Sequence, residues 1–320
     1  MDKKGYRLIV LGLLILGMVL PVWANGESES KDDQIIIGGI MYDLSNKFHV
    51  YIEEGMRQFE AEHDDVTMYI TDGKGDPNLQ INQVETLITR GADAIVMVPV
   101  EPATLRQVID KCEEADIELV IANLLPNEED IDRIGAYVGS ESIAAGLMQA
   151  EWVAEALGGE GEVAILIGDM GLEVARMRTQ GNKDVFDRYP GITIVSELEG
   201  KWDRAKALAI AENWLTADIN NKIDAIVCNN DEMAIGAYFA SEQVGRDDLI
   251  IAGIDATPVA LEYLGEGLDV TVFQSGNGQG YSSAEIAYKL AKGISVERMN
   301  WIPFELVTPD KKSEYLAKWQ

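Results

Sequence analysis

Short apolar runs alternate with longer amphipathic segments along most of the chain. The runs are rich in Ile, Val and Ala and have the length of buried strands, whereas the segments between them have the length and apolar spacing of helices. The predicted strands cover residues 35–40, 67–70, 94–98, 119–122, 136–138, 163–167, 192–195, 225–228, 249–254 and 270–273. Strands that alternate with helices form parallel sheets, so the pattern predicts an α/β fold.

This alternation of strands and helices occurs in two rounds. It starts near residue 35 and resumes after the run at 136–138. The chain beyond residue 33 is also long for a single hydrophobic core. We therefore expect two doubly wound, Rossmann-like parallel-sheet lobes in tandem.

The N-terminal segment has a different pattern. Basic residues precede an apolar run at 8–22, and the small residue Ala24 follows. This order predicts a cleavable signal peptide over residues 1–24, because the run is shorter than the roughly 20 residues that span a bilayer. Residues 25–33 are polar and acidic and are expected to form a flexible lead-in. The mature protein is expected to be periplasmic or otherwise extracytoplasmic, with an uncleaved membrane anchor as the alternative.

The net charge of the chain limits the partners that it can bind. The formal net charge is −29 at pH 7, and so acidic a surface repels nucleic acid and anionic lipid. We expect a monomer with no nucleic-acid partner.

Cys112 falls in a predicted helix and Cys228 ends a predicted strand. Both are therefore expected to be buried thiols rather than a disulfide or a metal pair.

Signatures of catalysis are missing from the sequence. The two histidines have no metal-ligand spacing, and no Gly-x-Ser-x-Gly elbow is present. The stretches 158–161 and 276–280 fit neither the dinucleotide nor the Walker A frame and are predicted to be turns. We expect no enzyme activity, no catalytic residue, no cofactor and no metal. Paired carboxylates for glycoside hydrolysis stay open, because an acidic chain offers many such pairs.

Polar and aromatic residues follow the ends of the predicted strands, where ligands bind in open α/β sheets. These residues are Tyr42, Asp43, Asn46, Phe48, His49, Asn123, Asp169, Arg178, Trp202, Asn230, Asp231, Asp255 and Gln274. Carboxylates accept hydrogen bonds from hydroxyls, a guanidinium donates, and amides do both. Flat aromatic faces cover the apolar C–H patches of a ring. The set therefore favours a polyhydroxylated ligand.

Several motifs occur in a specific order in the second half of the chain. They are Arg178-Thr179-Gln180-Gly181, Asn230-Asp231-Glu232-Met233-Ala234-Ile235-Gly236-Ala237 and Gly253-Ile254-Asp255-Ala256-Thr257-Pro258, preceded by Gly91-Ala92-Asp93-Ala94-Ile95 in the first half. With them the chain resembles the ribose-binding branch of the type I periplasmic binding proteins over about residues 34–307. Repressor effector domains share this fold, but they follow a basic helix-turn-helix, where this chain has the predicted signal peptide.

The resemblance implies two lobes joined by three hinge strands, with crossovers near Gly139, Ser275 and Pro303. The N-terminal lobe would comprise residues 34–139 plus 275–303, and the C-terminal lobe 140–274 plus 304–320. It also implies a small neutral sugar or polyol ligand, delivery to an ABC-type permease in the membrane, and a possible chemoreceptor or sensor kinase as a signalling partner.

The resemblance also implies which residues contact the ligand. They are Asn46, Phe48, Asn123, Arg178, Trp202, Asn230, Asp255 and Gln274, with Tyr42, Asp43, His49 and Asp231 as further candidates. The Arg-x-x-Gly frame selects Arg178 over Arg176. Helix capping is the competing reading for Asp231 and Asp255, and core packing is the competing reading for Phe48 and Trp202.

Three departures from the ribose pattern bear on the ligand. Lys47-Phe48-His49 replaces Pro-Phe-Phe, Asn123-Leu124 replaces an Asp-Arg pair, and Trp202 replaces a smaller aromatic. Ribose itself is therefore not expected. A neutral pyranose, pentose or cyclitol is favoured, and an autoinducer-like furanosyl ligand stays open.

Overall fold

The computed structural model describes residues 34–217 and 222–319. The predicted signal peptide and lead-in lie outside the described residues. The elements are β1 (Ile35–Met41), α1 (Lys47–Glu62), β2 (Val66–Asp72), α2 (Pro77–Thr89), β3 (Ala94–Met97), α3 (Pro102–Glu114), β4 (Glu118–Ala122), α4 (Glu128–Ile131), β5 (Ala136–Gly139), α5 (Ser142–Ala156), β6 (Glu160–Ile167), α6 (Glu173–Phe186), β7 (Gly191–Glu199), α7 (Arg204–Ala217), β8 (Ile223–Cys228), α8 (Asp231–Val244), β9 (Ile250–Ala252), α9 (Pro258–Tyr263), β10 (Thr271–Phe273), α10 (Gly276–Ala291), β11 (Met299–Trp301), β12 (Glu305–Val307) and α11 (Lys312–Ala317).

These strands form two parallel sheets. The first has the strand order β11-β5-β4-β3-β1-β2, and the second has the order β7-β6-β8-β9. Strand β10 lies beside β9 through parallel bridges and pairs antiparallel with β12. The predicted class, two doubly wound α/β lobes, is confirmed.

Each sheet is covered by helices on both faces. Successive strand residues point to opposite faces: in β3, Ala94 and Val96 pack with α1 and α10, whereas Ile95 and Met97 pack with α2 and α3. Helices α7 and α8 cover one face of the second sheet, and α5 and α6 cover the other. Burial on both faces explains why the inner strands β1, β3 and β4 are apolar at nearly every position.

The chain passes between the two sheets three times. It leaves the first sheet after β5, returns after β10 through α10 and β11, and crosses again to β12. The residue limits given above for the two lobes stay a prediction.

Glycines let paired helices approach closely. A Cβ on Gly280 of α10 would lie 1.9 Å from the carbonyl oxygen of Ile52 in α1, and a Cβ on Gly55 would lie 2.0 Å from that of Asn277. The prediction of a turn at 276–280 was therefore wrong. Gly276 and Gly280 lie in the first turns of α10, where they fit its backbone against α1.

Both cysteines are buried free thiols, as predicted. Cys112 lies in α3, and Cys228 is the last residue of β8. No helix in the described part of the chain combines the length and the apolar character that a membrane span requires.

Candidate functional site

The carboxyl ends of the two sheets border one cavity of about 70 Å³. It is lined by Tyr42, Asn46, Phe48, His49, Asn123, Leu124, Leu172, Val174, Arg178, Trp202, Asn230, Asp255 and Gln274. The structure thus brings together all the residues that the resemblance selected as ligand contacts, along with Tyr42 and His49. A cavity of this volume holds several water-sized groups, which suits a compact ligand.

Asn46 caps helix α1 and still faces the cavity. Its side-chain Oδ1 accepts a hydrogen bond from the backbone N–H of Phe48 at 3.0 Å. This bond fixes the orientation of the amide, so Nδ2 is the group left to donate into the cavity.

His49 follows in the first turn of α1 and is only 7% exposed. Its Nδ1 lies 3.1 Å from the carbonyl oxygen of Asp43, and because a carbonyl can only accept, Nδ1 carries the proton. The Nε2 lone pair is then an acceptor. Burial lowers the pKa of His49 to about 4, so the ring is neutral at pH 7, and it stacks on Tyr42 with 5.1 Å between ring centroids.

Asn123 follows β4 and is oriented by α10. Its Nδ2 donates to Oε1 of Gln279 at 2.9 Å, and Nε2 of Gln279 donates to the Ser140 hydroxyl at 3.2 Å. Gln279 is fully buried, so this chain of bonds is held in place. Asn123 therefore has its Oδ1 free as an acceptor.

Arg178 of α6 is 3% exposed and is held by several groups. One terminal nitrogen donates to the carbonyl of Asn229 at 2.6 Å and lies 3.5 Å from a carboxylate oxygen of Asp255. The other donates to Oε1 of Gln274 at 2.6 Å. Within the described residues its Nε has no hydrogen-bond partner, although buried polar groups normally have one.

Asp255 lies at the end of the second sheet beside Arg178. Burial raises the pKa of its carboxyl group, and the positive charge of Arg178 opposes this shift. Asp255 does not cap a helix, because Thr257 is the N-cap of α9. The capping alternative for Asp255 is therefore excluded.

Asn230 is the N-cap of α8, and its Oδ1 accepts from the backbone N–H of Met233 at 3.0 Å. As with Asn46, the bond leaves Nδ2 free to donate. The amide of Gln274 is fixed in the same way. Its Oε1 accepts a hydrogen bond from Arg178, which leaves Nε2 free to donate.

The cavity thus offers hydrogen-bonding groups whose directions are set by the protein. Among the described residues, the free donors include Nδ2 of Asn46, Nδ2 of Asn230, Nε2 of Gln274 and Nε of Arg178, and the free acceptors include Oδ1 of Asn123, Nε2 of His49 and the carboxylate of Asp255. A hydroxyl both donates and accepts, so this mixture matches a ring that carries many hydroxyls.

Three residues that line the cavity have an unusual backbone conformation. Asn123, Trp202 and Asp255 have positive φ values of 64°, 64° and 122°, a region that residues with a side chain rarely adopt. Such strain persists where the surrounding structure enforces it and is typical of functional sites. At Trp202 the indole occupies space that a side chain on Gly168 would fill, since a Cβ there would lie 2.1 Å from the ring.

Two of the further candidates do not line the cavity. Asp43 acts through its carbonyl, which holds His49. Asp231 is fully buried and accepts from the Thr257 backbone N–H at 2.9 Å and from the Thr271 hydroxyl at 2.6 Å. These hydrogen bonds hold the segment that carries Asp255 in place.

Sequence reasoning missed the aliphatic part of the lining, which consists of Leu124, Leu172 and Val174. These residues also flank predicted strands and helices, but an aliphatic side chain there looks like any core residue. No group of His, Cys, Asp and Glu side chains within residues 34–217 and 222–319 is arranged to hold a metal ion.

Residues 37–295 match a family model described as a periplasmic binding protein domain. A protein of Rhizobium meliloti, named provisionally as rhizopine-binding, is 38% identical over 88% of this chain and 93% of its own. The ribose import binding protein of Bacillus subtilis is 27% identical over 96% of this chain and 99% of its own. The crystal structure of an ABC transporter solute-binding protein from Bacillus halodurans C-125 with bound myo-inositol is 42% identical, with a TM-score of 0.85 over 90% of this chain and 99% of that one.

Proposed function

Because the chain belongs to the type I periplasmic binding proteins related to ribose-binding protein, we propose that it captures a cyclitol of the inositol class. The observation that carries the proposal is the set of free donors and acceptors around the cavity. Every ring carbon of an inositol bears a hydroxyl, and a buried hydroxyl costs free energy unless it is hydrogen-bonded. The solute-binding protein with bound myo-inositol supports the same ligand class.

A neutral monosaccharide is the second candidate. The structure of a solute-binding protein with bound D-allose is 27% identical to this chain and has a TM-score of 0.81. A phosphorylated ligand is disfavoured, because Arg178 is the only cationic side chain among the described residues that line the cavity.

The proposed mechanism is closure of the two lobes around the ligand. Asn46, His49 and Asn123 lie on the first lobe, and Arg178 and Asp255 lie on the second. A ligand that bridges them favours the closed form, because all contacts are made only there. The closed monomer would then deliver the ligand to an ABC-type permease in the membrane, outside the cytoplasm, without chemical change. A chemoreceptor or sensor kinase is a second possible recipient.

The test is calorimetric titration of the chain from Asn25 onward with myo-inositol, D-allose, D-ribose and xylitol. We expect myo-inositol to bind best. Arg178→Ala and Asp255→Ala should each lose about 2 to 5 kcal/mol of binding free energy, because each leaves buried polar groups unpaired.

Arg176→Ala is the matched control. Arg176 lies on the same helix but is exposed and donates to the carbonyls of Met170 and Gly171. It should bind as the unmodified chain does. Near-unchanged affinity in both Arg178→Ala and Asp255→Ala, with folding verified by circular dichroism, would contradict the site, and no heat with any of the ligands would contradict the function.

A further inference from the structure

A second, smaller cavity of about 10 Å³ adjoins the ligand cavity. It is lined by Pro99, Leu105, Leu124, Leu125, Pro126, Leu172, Glu173 and Val174. Leu124, Leu172 and Val174 line the ligand cavity as well. These three side chains are therefore the common wall through which a bound ring would meet the smaller cavity.

The size of the smaller cavity limits its occupant. About 10 Å³ is room for roughly one water-sized or methyl-sized group. A buried water needs two to four polar partners, about three on average, and the lining here is almost entirely aliphatic and proline. The exception is Glu173, one oxygen of which accepts from the Ser142 hydroxyl at 3.0 Å, and a single polar side chain is fewer than the partners that a buried water needs. The chemistry of the lining favours a methyl group over a water.

The common wall is assembled from both sheets. Leu124 follows β4 of the first sheet, whereas Leu172 and Val174 lie at the start of α6, which covers the second sheet. A group placed against this wall therefore touches both lobes. Its burial adds to the contacts that are made only when the lobes are closed.

We propose that this smaller cavity is a subsite for one methyl-sized apolar substituent of the bound polyol, such as the methyl group of an O-methylated cyclitol. The inference rests on the proposed function, because it takes the ring to lie in the ligand cavity. The polar groups of the ligand cavity bind the hydroxyls of the ring. The aliphatic wall contacts the one ring position whose hydroxyl carries the methyl group.

The test compares affinities by calorimetric titration of the chain from Asn25 onward. The ligands are myo-inositol and each of its mono-O-methyl ethers, together with D-galactose and its 6-deoxy form. One ether should bind about fourfold tighter than myo-inositol, the gain expected for burying one methyl group. The galactose pair distinguishes a methyl on oxygen from a methyl on carbon.

Substitutions at Leu125 locate the effect. Leu125 lines the smaller cavity but not the ligand cavity, and it is half-buried in the loop after β4. Leu125→Phe fills the space and should lower the affinity ratio of ether to parent below one. Leu125→Ala enlarges the space and should raise the ratio for the corresponding ethyl ether, so the proposal can be judged even if one variant fails to fold.

The outcomes separate the subsite from the proposed function. If myo-inositol binds but neither an ether nor the deoxy sugar exceeds its parent, the subsite is overturned and the function stands. If an ether gains but the ratio is unchanged in both Leu125 variants, the methyl group lies elsewhere and the subsite is again overturned. If no ligand of the panel binds, both proposals fail.

Discussion

His49 shows at the scale of one residue how burial sets the chemistry of the cavity. The ring is buried and donates to a carbonyl, and burial lowers its pKa to about 4 from the 6.5 of an exposed histidine. The negative charges of Asp43 and Asp72 act in the opposite direction but are outweighed. The folded protein therefore keeps a neutral imidazole under conditions in which the unfolded chain is protonated.

The pKa of His49 predicts a pH dependence of stability. Between pH 6.5 and 4 the unfolded state binds more protons than the folded state, so the free energy of unfolding decreases as the pH falls through this window. At about pH 5 the loss relative to about pH 7.5 should be about 2 kcal/mol. Urea denaturation at both pH values measures it.

His49→Gln is the reference for this measurement, because glutamine does not titrate. The difference in the free energy of unfolding between the unmodified chain and His49→Gln should be smaller at the lower pH. Carboxyl groups that titrate in the same range, such as Asp255, are present in both chains and cancel in the difference. An equal difference at both pH values would contradict the neutral, buried ring.

How much of the site could be predicted from sequence depended on residue type. Polar and aromatic residues after strand ends, such as Arg178 and Trp202, stood out because such positions are otherwise apolar or turn-like. Leu172 and Val174 carry no such signal, since aliphatic residues at a helix start are equally typical of a core. The position of Asp231 depends on bonds to Thr257 and Thr271, contacts that sequence spacing does not reveal.

At the scale of elements, close packing between α1 and α10 positions the residues at the start of α1. The two helices meet at Gly55 and Gly280, each of which faces a backbone carbonyl of the other helix. Phe48 and His49 lie in the first turn of α1, and Gln279, which orients Asn123, precedes Gly280. The packing of this helix pair therefore sets the positions of residues that line or support the cavity.

Gly280→Ala should separate the two helices. The added methyl group would lie 1.9 Å from the Ile52 carbonyl oxygen, and overpacking of this kind costs about 1 to 3 kcal/mol. The gain in helix propensity, about 1 kcal/mol, offsets only part of that cost. A lower melting temperature and weaker binding of myo-inositol are expected, measured by calorimetry.

Ser282→Ala provides the control on the same helix. Ser282 is half-buried, so its replacement changes propensity without placing a methyl group against α1. It should melt within a few degrees of the unmodified chain. A Gly280→Ala protein as stable as this control would show that the helices can separate without cost.

The strand pattern was predictable because both faces of each sheet are covered by helices, which makes the inner strands apolar at nearly every position. Strands β11 and β12 were not predicted, because each has three residues and includes polar or half-exposed positions such as Asn300 and Glu305. The glycine-rich start of α10 was misjudged for a related reason. Glycine favours turns locally, and only the neighbouring helix explains its place here.

At the scale of the whole molecule, the three passages between the sheets determine how the lobes can move. The passages follow β5, β10 and β11, and short connections of this kind permit hinge closure. Ser140 lies in the first passage and accepts from Gln279, which also holds Asn123. A rearrangement at this passage is thus coupled to a residue of the cavity.

Closure predicts a ligand-dependent distance between the lobes. Spin labels at Glu128→Cys, the first residue of α4, and at Met170→Cys, in the loop after β6, would lie on exposed positions of opposite lobes. The native thiols should not compete for label, because Cys112 and Cys228 are buried and burial raises the pKa of both.

Saturating myo-inositol should shorten and narrow the distance distribution measured by pulsed electron paramagnetic resonance, since the ligand stabilises the state in which both lobes contact it. A label pair at Glu101→Cys and Glu128→Cys lies within the proposed first lobe and should give the same distance with and without ligand. The Asp255→Ala background should remove the change for the pair that spans the lobes.

A shift within the first lobe would contradict the proposed lobe limits. An unchanged distance across the lobes despite measured binding would contradict hinge closure.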